Sequence, residues 1–267
     1  MIPEISIGPL TLQTFGLMFA IAFIVGGLIV HRRLIELGKP GDWAYEAVFA
    51  ALIGGLIGAR LYFMVDNYDS VKDDLFGNIF SGGGLTWYGG AVGGAIGVVL
   101  WAWWRDFLNL KMLDIAAPTL AAAYAIGRIG CQLSGDGDYG KAWDGPWAMG
   151  YPDGVVPTDP GVTVHPTPIY ETLTMGLFAF ILWRLRDRFR FGILFAIYLV
   201  GAGTERFLVE FVRTNTEVAI GLTAAQFQSL AMIVAGLIWI ITIKVRNGTL
   251  ARPADQVTAA GTAPQKA

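Results

Sequence analysis

The stretch Gly127-Arg128-Ile129-Gly130-Cys131-Gln132-Leu133-Ser134-Gly135-Asp136-Gly137-Asp138-Tyr139-Gly140 starts inside an apolar run that opens at Ala121 and ends among glycines and aspartates. The first half has the composition of a membrane helix. The second half cannot continue one, because glycine and ionised aspartate do not stay helical in hydrocarbon. Arg128 stands on the apolar side of that boundary and Asp136 and Asp138 on the polar side. A charge inside a hydrophobic segment is costly and marks a functional position by default.

The whole chain agrees with a membrane reading. Of its 267 residues, 54% are hydrophobic and 15% charged, and the mean hydropathy is +0.54. Soluble domains carry about 25% charged residues, so this much apolar surface needs lipid around it. The net charge of -2 gives no basic field for nucleic acid. Cys131 is the only cysteine, which excludes an intramolecular disulfide and every multi-cysteine metal site. His31 and His165 are the only histidines, too few for a histidine-rich metal centre, and no nucleotide motif is present; no cofactor or metal is expected. His31-Arg32-Arg33 follows the first apolar run instead of preceding it, so residues 13–31 read as a retained helix and not a signal peptide.

Seven runs are long enough to cross a bilayer: 13–31, 44–65, 88–104, 113–133, 168–184, 191–211 and 222–244. Thirteen lysines and arginines fall on one side of the resulting topology, three on the other and three within helices. The positive-inside bias then puts the N-terminus outside and the C-terminus in the cytoplasm. The expected fold is an all-α polytopic membrane protein of seven transmembrane helices, a catalytic domain over residues 1–246. Outer loops 66–87 and 134–167, the first with Asp66, Asp69, Asp73, Asp74 and Gly82-Gly83-Gly84, form an arm and an extracytoplasmic cap. Residues 247–267 read as a disordered cytoplasmic tail.

Gly54, Gly58, Gly89, Gly93 and Gly97 stand at small-xxx-small spacing, which lets helix backbones approach closely. Gly89 and Gly90 beside Tyr88 also have the alternative of presenting backbone N–H groups to an anion. Arg60, Arg128 and Arg206 lie on the second, fourth and sixth helices, each near the outer end, and Tyr88 and His165 belong to the same side. In Arg206-Phe207-Leu208-Val209-Glu210-Phe211-Val212-Arg213, positions i, i+4 and i+7 put Arg206, Glu210 and Arg213 on one face. A guanidinium fork suits phosphate, and one such contact at 4 Å is worth about 4 kcal/mol at an effective dielectric near 20, before desolvation.

These residues carry a resemblance. Gly127-Arg128-Ile129-Gly130 with Ser134-Gly135-Asp136 resembles the signature of bacterial prolipoprotein diacylglyceryl transferases. So do Ser6 to Met18, Gly58-Ala59-Arg60, Tyr88-Gly89-Gly90, His165-Pro166-Thr167-Pro168-Ile169-Tyr170-Glu171, Arg206 to Arg213 and Gln226 to Gly236, in family order over nearly the whole chain. The resemblance implies transfer of the diacylglyceryl group of phosphatidylglycerol to the lipobox cysteine thiol of a prolipoprotein signal peptide, with glycerol phosphate released. It implies a multi-pass enzyme of the bacterial inner membrane, acting as a monomer near the outer leaflet. Arg128, Arg206, Tyr88 and His165 are its catalytic candidates; Arg60, Gly89, Gly90, Cys131, Ser134, Asp136, Gly140, Glu210 and Arg213 are its substrate-binding candidates. The proton acceptor stays open among Tyr88, His165, Asp136 and Glu210, and His165 has the alternative role of capping the fifth helix. The chain departs from the family pattern at Tyr88, Phe15, Cys131 and Asp136. Cys131 reads as a packing residue and not a nucleophile.

Three rival readings share these residues. A paralogue with an altered acceptor fits the departures. A lipid or anion transporter would use the arginines for translocation. An intramembrane aspartyl protease would pair Tyr68-Asp69 with Gly135-Asp136-Gly137-Asp138, but both aspartates have loop-like surroundings.

Overall fold

The computed structural model describes residues 1–68 and 86–253. Asp69, Asp73, Asp74, Gly82-Gly83-Gly84 and residues 254–267 of the expected tail lie outside the described residues. In chain order the elements are strands β1 (Glu4–Ile7) and β2 (Leu10–Gln13), then helices α1 (Thr14–Glu36), α2 (Trp43–Asp66), α3 (Trp87–Trp104), α4 (Leu110–Ser134), α5 (Thr167–Leu185) and α6 (Ile193–Val209). A single 3-10 turn (Glu210–Val212), strands β3 (Glu217–Ala219) and β4 (Leu222–Thr223) and helix α7 (Ala224–Asn247) follow. Both strand pairs are antiparallel hairpins. Helices α1, α2, α4 and α7 are long and apolar enough to cross a membrane, and the protein is a mostly helical membrane protein.

Two boundaries differ from the apolar runs for physical reasons. Helix α1 continues to Glu36, because Glu36 accepts from Arg32 at 3.2 Å and Arg33 at 2.9 Å and so stabilises a polar last turn. Helix α6 stops at Val209, and the backbone tightens into the 3-10 turn before Arg213.

The chain divides into two compact units, residues 30–112 and residues 1–29 with 113–267. In the first, α2 and α3 touch backbone to backbone. A Cβ on Gly58 would lie 2.3 Å from the Gly89 carbonyl oxygen, and one on Gly93 2.2 Å from that of Gly54. Only glycine permits this approach. The pair is pinned at one end by Glu46, which accepts from the Trp101 indole at 2.9 Å and Arg105 Nε at 2.7 Å. At the other end the Thr86 hydroxyl donates to the Ala59 carbonyl at 3.1 Å.

In the second unit, α4, α5 and α6 share a core of small and aliphatic side chains: Ala117, Ala121, Ala125, Met175, Leu182 and Leu194. Asp114, buried on α4, accepts from the Gly192 and Phe195 amides at 2.8 and 3.0 Å and so caps α6 from a neighbouring helix. Helix α7 starts in a capping box of Thr223 and Gln226. Residues just past α7, where the tail was expected to begin, pair with the α5–α6 connection. The Arg190 amide donates to Leu250 O at 2.9 Å, and the Arg252 guanidinium donates to Phe189 O at 3.0 Å and Arg186 O at 2.8 Å.

Valine at Gly93 would drive a side chain into α2. Over-packing of this kind costs about 1–3 kcal/mol, so Gly93→Val is expected to lower the thermal midpoint of the purified protein. Gly176→Ala, whose nearest new neighbour is the Ala125 Cβ at 3.9 Å, should leave it unchanged or raised. Equal midpoints for the two variants would contradict the close-contact account of α2 and α3.

Candidate active site

The polar centre of the larger unit is assembled from three helix ends. Arg128 comes from the last two turns of α4, Glu171 from the first two turns of α5 and Arg206 from the last turn of α6. Glu171 is fully buried. Its Oε2 lies 3.0 Å from Arg128 Nε and 3.7 Å from Arg213 Nη1, and its Oε1 lies 3.4 Å from Arg206 Nη1. The Tyr124 hydroxyl donates to the same Oε1 at 2.7 Å, and its ring lies 4.9 Å from the Arg128 guanidinium. One carboxylate thus faces three guanidinium groups and a phenol.

Two further carboxylates complete the balance. Asp138 is ion-paired with Arg128 through one oxygen and with Arg213 through the other. Glu210 Oε2 lies 2.8 Å from Arg206 and 4.0 Å from Arg213 Nε. Its Oε1 accepts from Asn215 at 2.7 Å and from Thr223 at 2.8 Å. Glu210 therefore stands between Arg206 and Arg213, as their helical spacing predicts.

Asp138 is placed by a strap of extended backbone. The Gly140 amide donates to His165 O at 2.8 Å and the Lys141 amide to Val212 O at 2.7 Å. A Cβ on Gly140 would lie 2.4 Å from Val212 O and 2.9 Å from the His165 Cβ, so this position admits only glycine. The Asp138 carbonyl accepts from the Thr167 hydroxyl at 2.6 Å and from Arg213 at 3.1 Å. Burial of Asp138 pushes its carboxyl up, but Arg128 and Arg213 outweigh that effect and hold it below the usual carboxylate range.

The remaining candidates divide between this unit and the other. Asp136 accepts from the Asp138 amide at 3.2 Å, and Ser134 donates to Cys131 O at 3.3 Å; both shape the turn after α4. Cys131 is buried with its Sγ 3.7 Å from Arg128. His165 does not cap α5. Its ring stacks on Trp143 at 4.3 Å, and its Nδ1 lies 3.2 Å from the Tyr170 hydroxyl, which also accepts from Trp147 at 2.7 Å. The cap behind it is anchored by the buried Tyr151, which donates to Gln132 at 2.8 Å. Burial pushes its phenol up to about 12, so it keeps that proton at neutral pH. Arg60, Tyr88, Gly89 and Gly90 belong to the other unit. There Arg60 is buried 5.4 Å from the Phe63 ring, Tyr88 is exposed, and the Gly90 amide donates to Thr86 O at 3.1 Å.

Three central residues carried no site assignment in the sequence reading: Glu171, Asp138 and Tyr124. Glu171 was visible in the Tyr-Glu pair after His165, and Tyr124 in its four-residue spacing from Arg128. Asp138 had drawn attention only as a protease aspartate. With each of its oxygens held by an arginine it cannot share a proton with a second carboxylate, and Asp69 lies outside the described residues. Cys131, Asp136 and Asp138 bring possible metal-ligand atoms within 4.8 Å of one another. The Arg128 guanidinium already occupies the neighbourhood a cation would need, so the group does not fit a metal.

Fold and centre together define a helical membrane protein with a buried arginine–carboxylate cluster at one end of its helices. The family model described as prolipoprotein diacylglyceryl transferase matches residues 4–242. A phosphatidylglycerol–prolipoprotein diacylglyceryl transferase of Paraburkholderia phymatum is 30% identical over 295 residues, covering 95% of this chain and 96% of the relative. The enzymes of that name from Pseudoalteromonas translucida and Clostridium tetani are each 31% identical, covering 87% and 85% of this chain and 88% and 92% of the relatives. The chain belongs to the prolipoprotein diacylglyceryl transferase family and is a transferase.

The Asp138 pairings carry a pH signature. Its folded-state pKa lies below the unfolded value of about 3.9, so its contribution to stability is complete above about pH 5 and disappears as pH falls through the folded value. Asp138→Asn is expected to melt earlier than wild type at pH 6–7, with the difference shrinking below about pH 4. A difference in melting that grew on acidification would contradict the pairing.

Proposed function

We propose that this chain transfers the diacylglyceryl group of phosphatidylglycerol to the lipobox cysteine thiol of prolipoproteins and releases glycerol phosphate. The match over residues 4–242, with relatives of that name aligned along nearly their whole length, is the observation that carries this reading. The protein works in the bacterial inner membrane as a seven-span enzyme, N-terminus outside, with its centre near the outer leaflet. The strong lysine and arginine asymmetry between the two sides supports that orientation.

The chemistry asks for a phosphate clamp. A thiolate attacks the glyceryl carbon while the carbon–oxygen bond to phosphate breaks, so negative charge grows on the departing phosphate. Arg128 and Arg206 are the clamp. The carboxylates hold Arg128 through Nε and Nη1 and Arg206 through Nη1 and Nη2. That leaves Arg128 Nη2 and Arg206 Nε untaken by these carboxylates and available to an incoming oxygen. The Arg206 side chain is 25% exposed against 8% for Arg213, so Arg206 meets the phosphate and Arg213 anchors Asp138. Donors held this firmly lose little entropy when they meet a charge, the condition for electrostatic catalysis. Tyr88, Arg60 and the His165 aromatic cluster are assigned to substrate contact.

Purified protein incubated with phosphatidylglycerol and a lipobox-cysteine peptide is expected to add a diacylglyceryl mass to the peptide. Arg128→Ala and Arg206→Ala should each lower turnover by about 10²–10³-fold, the usual cost of one oxyanion donor. Tyr88→Phe should raise KM for the lipid more than it lowers kcat. An unmodified peptide, under conditions in which the Clostridium tetani relative modifies it, would exclude the reading; full turnover by either alanine variant would remove that arginine from the clamp.

A further inference from the structure

The connection between α6 and α7 has its polarity reversed from that of a loop in water. Its root, Thr214-Asn215-Thr216-Glu217, is polar, and its tip, Val218-Ala219-Ile220-Gly221-Leu222, carries no polar side chain. The root is tied to the arginine centre. Asn215 and Thr223, one on either side of the tip, both donate to Glu210 Oε1, at 2.7 and 2.8 Å, and Glu210 Oε2 holds Arg206 at 2.8 Å. The tip stands out from the protein: Val218 and Ile220 are both exposed, Ile220 to 87%.

The turn itself carries a second anomaly. The register pairs Ala219 with Leu222 and leaves Ile220-Gly221 as a two-residue turn. Both residues have positive φ, 47° and 75°, the pattern of a type I′ turn, whose first position is ordinarily Asn, Asp or Gly. A β-branched residue in the left-handed region is strained, and a large apolar side chain in water is unfavourable. Ile220 accepts both penalties, and asparagine would remove both. Isoleucine is the better residue only where its surroundings are apolar. Lipid is the apolar medium at hand. Strand β4 runs without a break into α7, a helix apolar enough to cross a membrane, and α7 exposes Phe227, Val234 and Ile238. A convex turn also suits entry into a fluid leaflet, whereas peptides are held in grooves or on sheet edges.

We infer that the β3–β4 hairpin is a leaflet anchor: its Ile220 tip inserts among lipid chains, and its root, through Glu210, holds Arg206 at the depth of the lipid phosphates. The role of Arg206 and the side of the membrane rest on the transferase reading above; the insertion rests on the hairpin alone. The dimensions agree. The three residues of β3 span about 10 Å, and interfacial segments bury their apolar faces to about 5–10 Å. With the tip at that depth, Thr216 and Glu217 remain among the headgroups.

The test places a thiol-reactive bimane on Ile220→Cys in the full-length protein, in nanodiscs of phosphatidylcholine and phosphatidylglycerol. Wild type treated alike reports any label on the buried Cys131. The label at 220 is expected to lose fluorescence when chain-brominated lipid replaces ordinary lipid and to keep it when iodide is added. Val234→Cys on α7 should behave in the same way, and Asp153→Cys, exposed on the cap, in the opposite way. Val218→Cys decides the matter if Ile220→Cys does not fold. Ile220→Asn, which suits the turn but removes the apolar tip, is expected to raise KM for phosphatidylglycerol in nanodiscs several-fold with kcat unchanged. A label quenched by iodide and not by brominated lipid overturns the inference. So does protection from iodide that appears only with a lipobox-cysteine peptide, which would make the peptide the occupant. A KM for Ile220→Asn equal to that of wild type overturns the anchoring of the centre. A lipid-quenched tip on a protein that transfers nothing supports the insertion and overturns the transferase reading alone.

Discussion

The centre depends on the burial of the Glu171 carboxylate. A lone ionised acid in that position would cost several kcal/mol, and Glu171 is 0% exposed. It is tolerated because Tyr124, Arg128, Arg206 and Arg213 surround it. Arg128 and Arg206 in turn lie in apolar helices, Arg213 is buried just past the 3-10 turn, and all three need their own compensation, which Asp138 and Glu210 supply. No member can be removed without leaving an opposite charge stranded. The network therefore fixes where α4, α5 and α6 end relative to one another within the unit, and the small-residue core below it only has to fill space.

Neutral side chains carry the burden of holding that network still. Thr167 and the strap through Gly140 fix the backbone of Asp138, and Asn215 and Thr223 hold the far oxygen of Glu210. Thr223 also caps α7, so the start of the last helix is tied to the same acid that orients Arg206. These hydrogen bonds belong to groups that never change charge. An arginine aimed by such a frame does not need to reorganise when an anion arrives.

Much of the architecture was legible because hydrophobicity and charge act locally. Each of the seven apolar runs corresponds to one α-helix among the described residues, and the i, i+4, i+7 spacing placed Glu210 between Arg206 and Arg213. Partners brought together by tertiary structure were not legible. Asp136 and Asp138 are two residues apart, yet only Asp138 reaches the arginines, because Gly135 and Gly137 take positive φ angles of 61° and 90° and redirect the chain between them. Glu171 was readable as part of a motif, but nothing in the string says that three arginines converge on it. The segment 249–252 has the composition of a tail, and its partners are non-local: the Arg190 amide, the Asp187 carboxylate and the Arg186 and Phe189 carbonyls of the α5–α6 connection.

A balanced centre also constrains the reaction proposed for it. Phosphatidylglycerol brings one negative charge into a site whose arginines are already neutralised, so the clamp works through its unused N–H groups and not through a net positive field. Departure of a glycerol phosphate places a second charge on that phosphate, and the arginines have no further charge to offer. The thiol proton is the compensation the reaction itself generates, and it has to be kept close to the leaving group until the bond has broken. A carboxylate bound to arginine would release its cation on taking that proton and loosen the clamp at the moment it is needed.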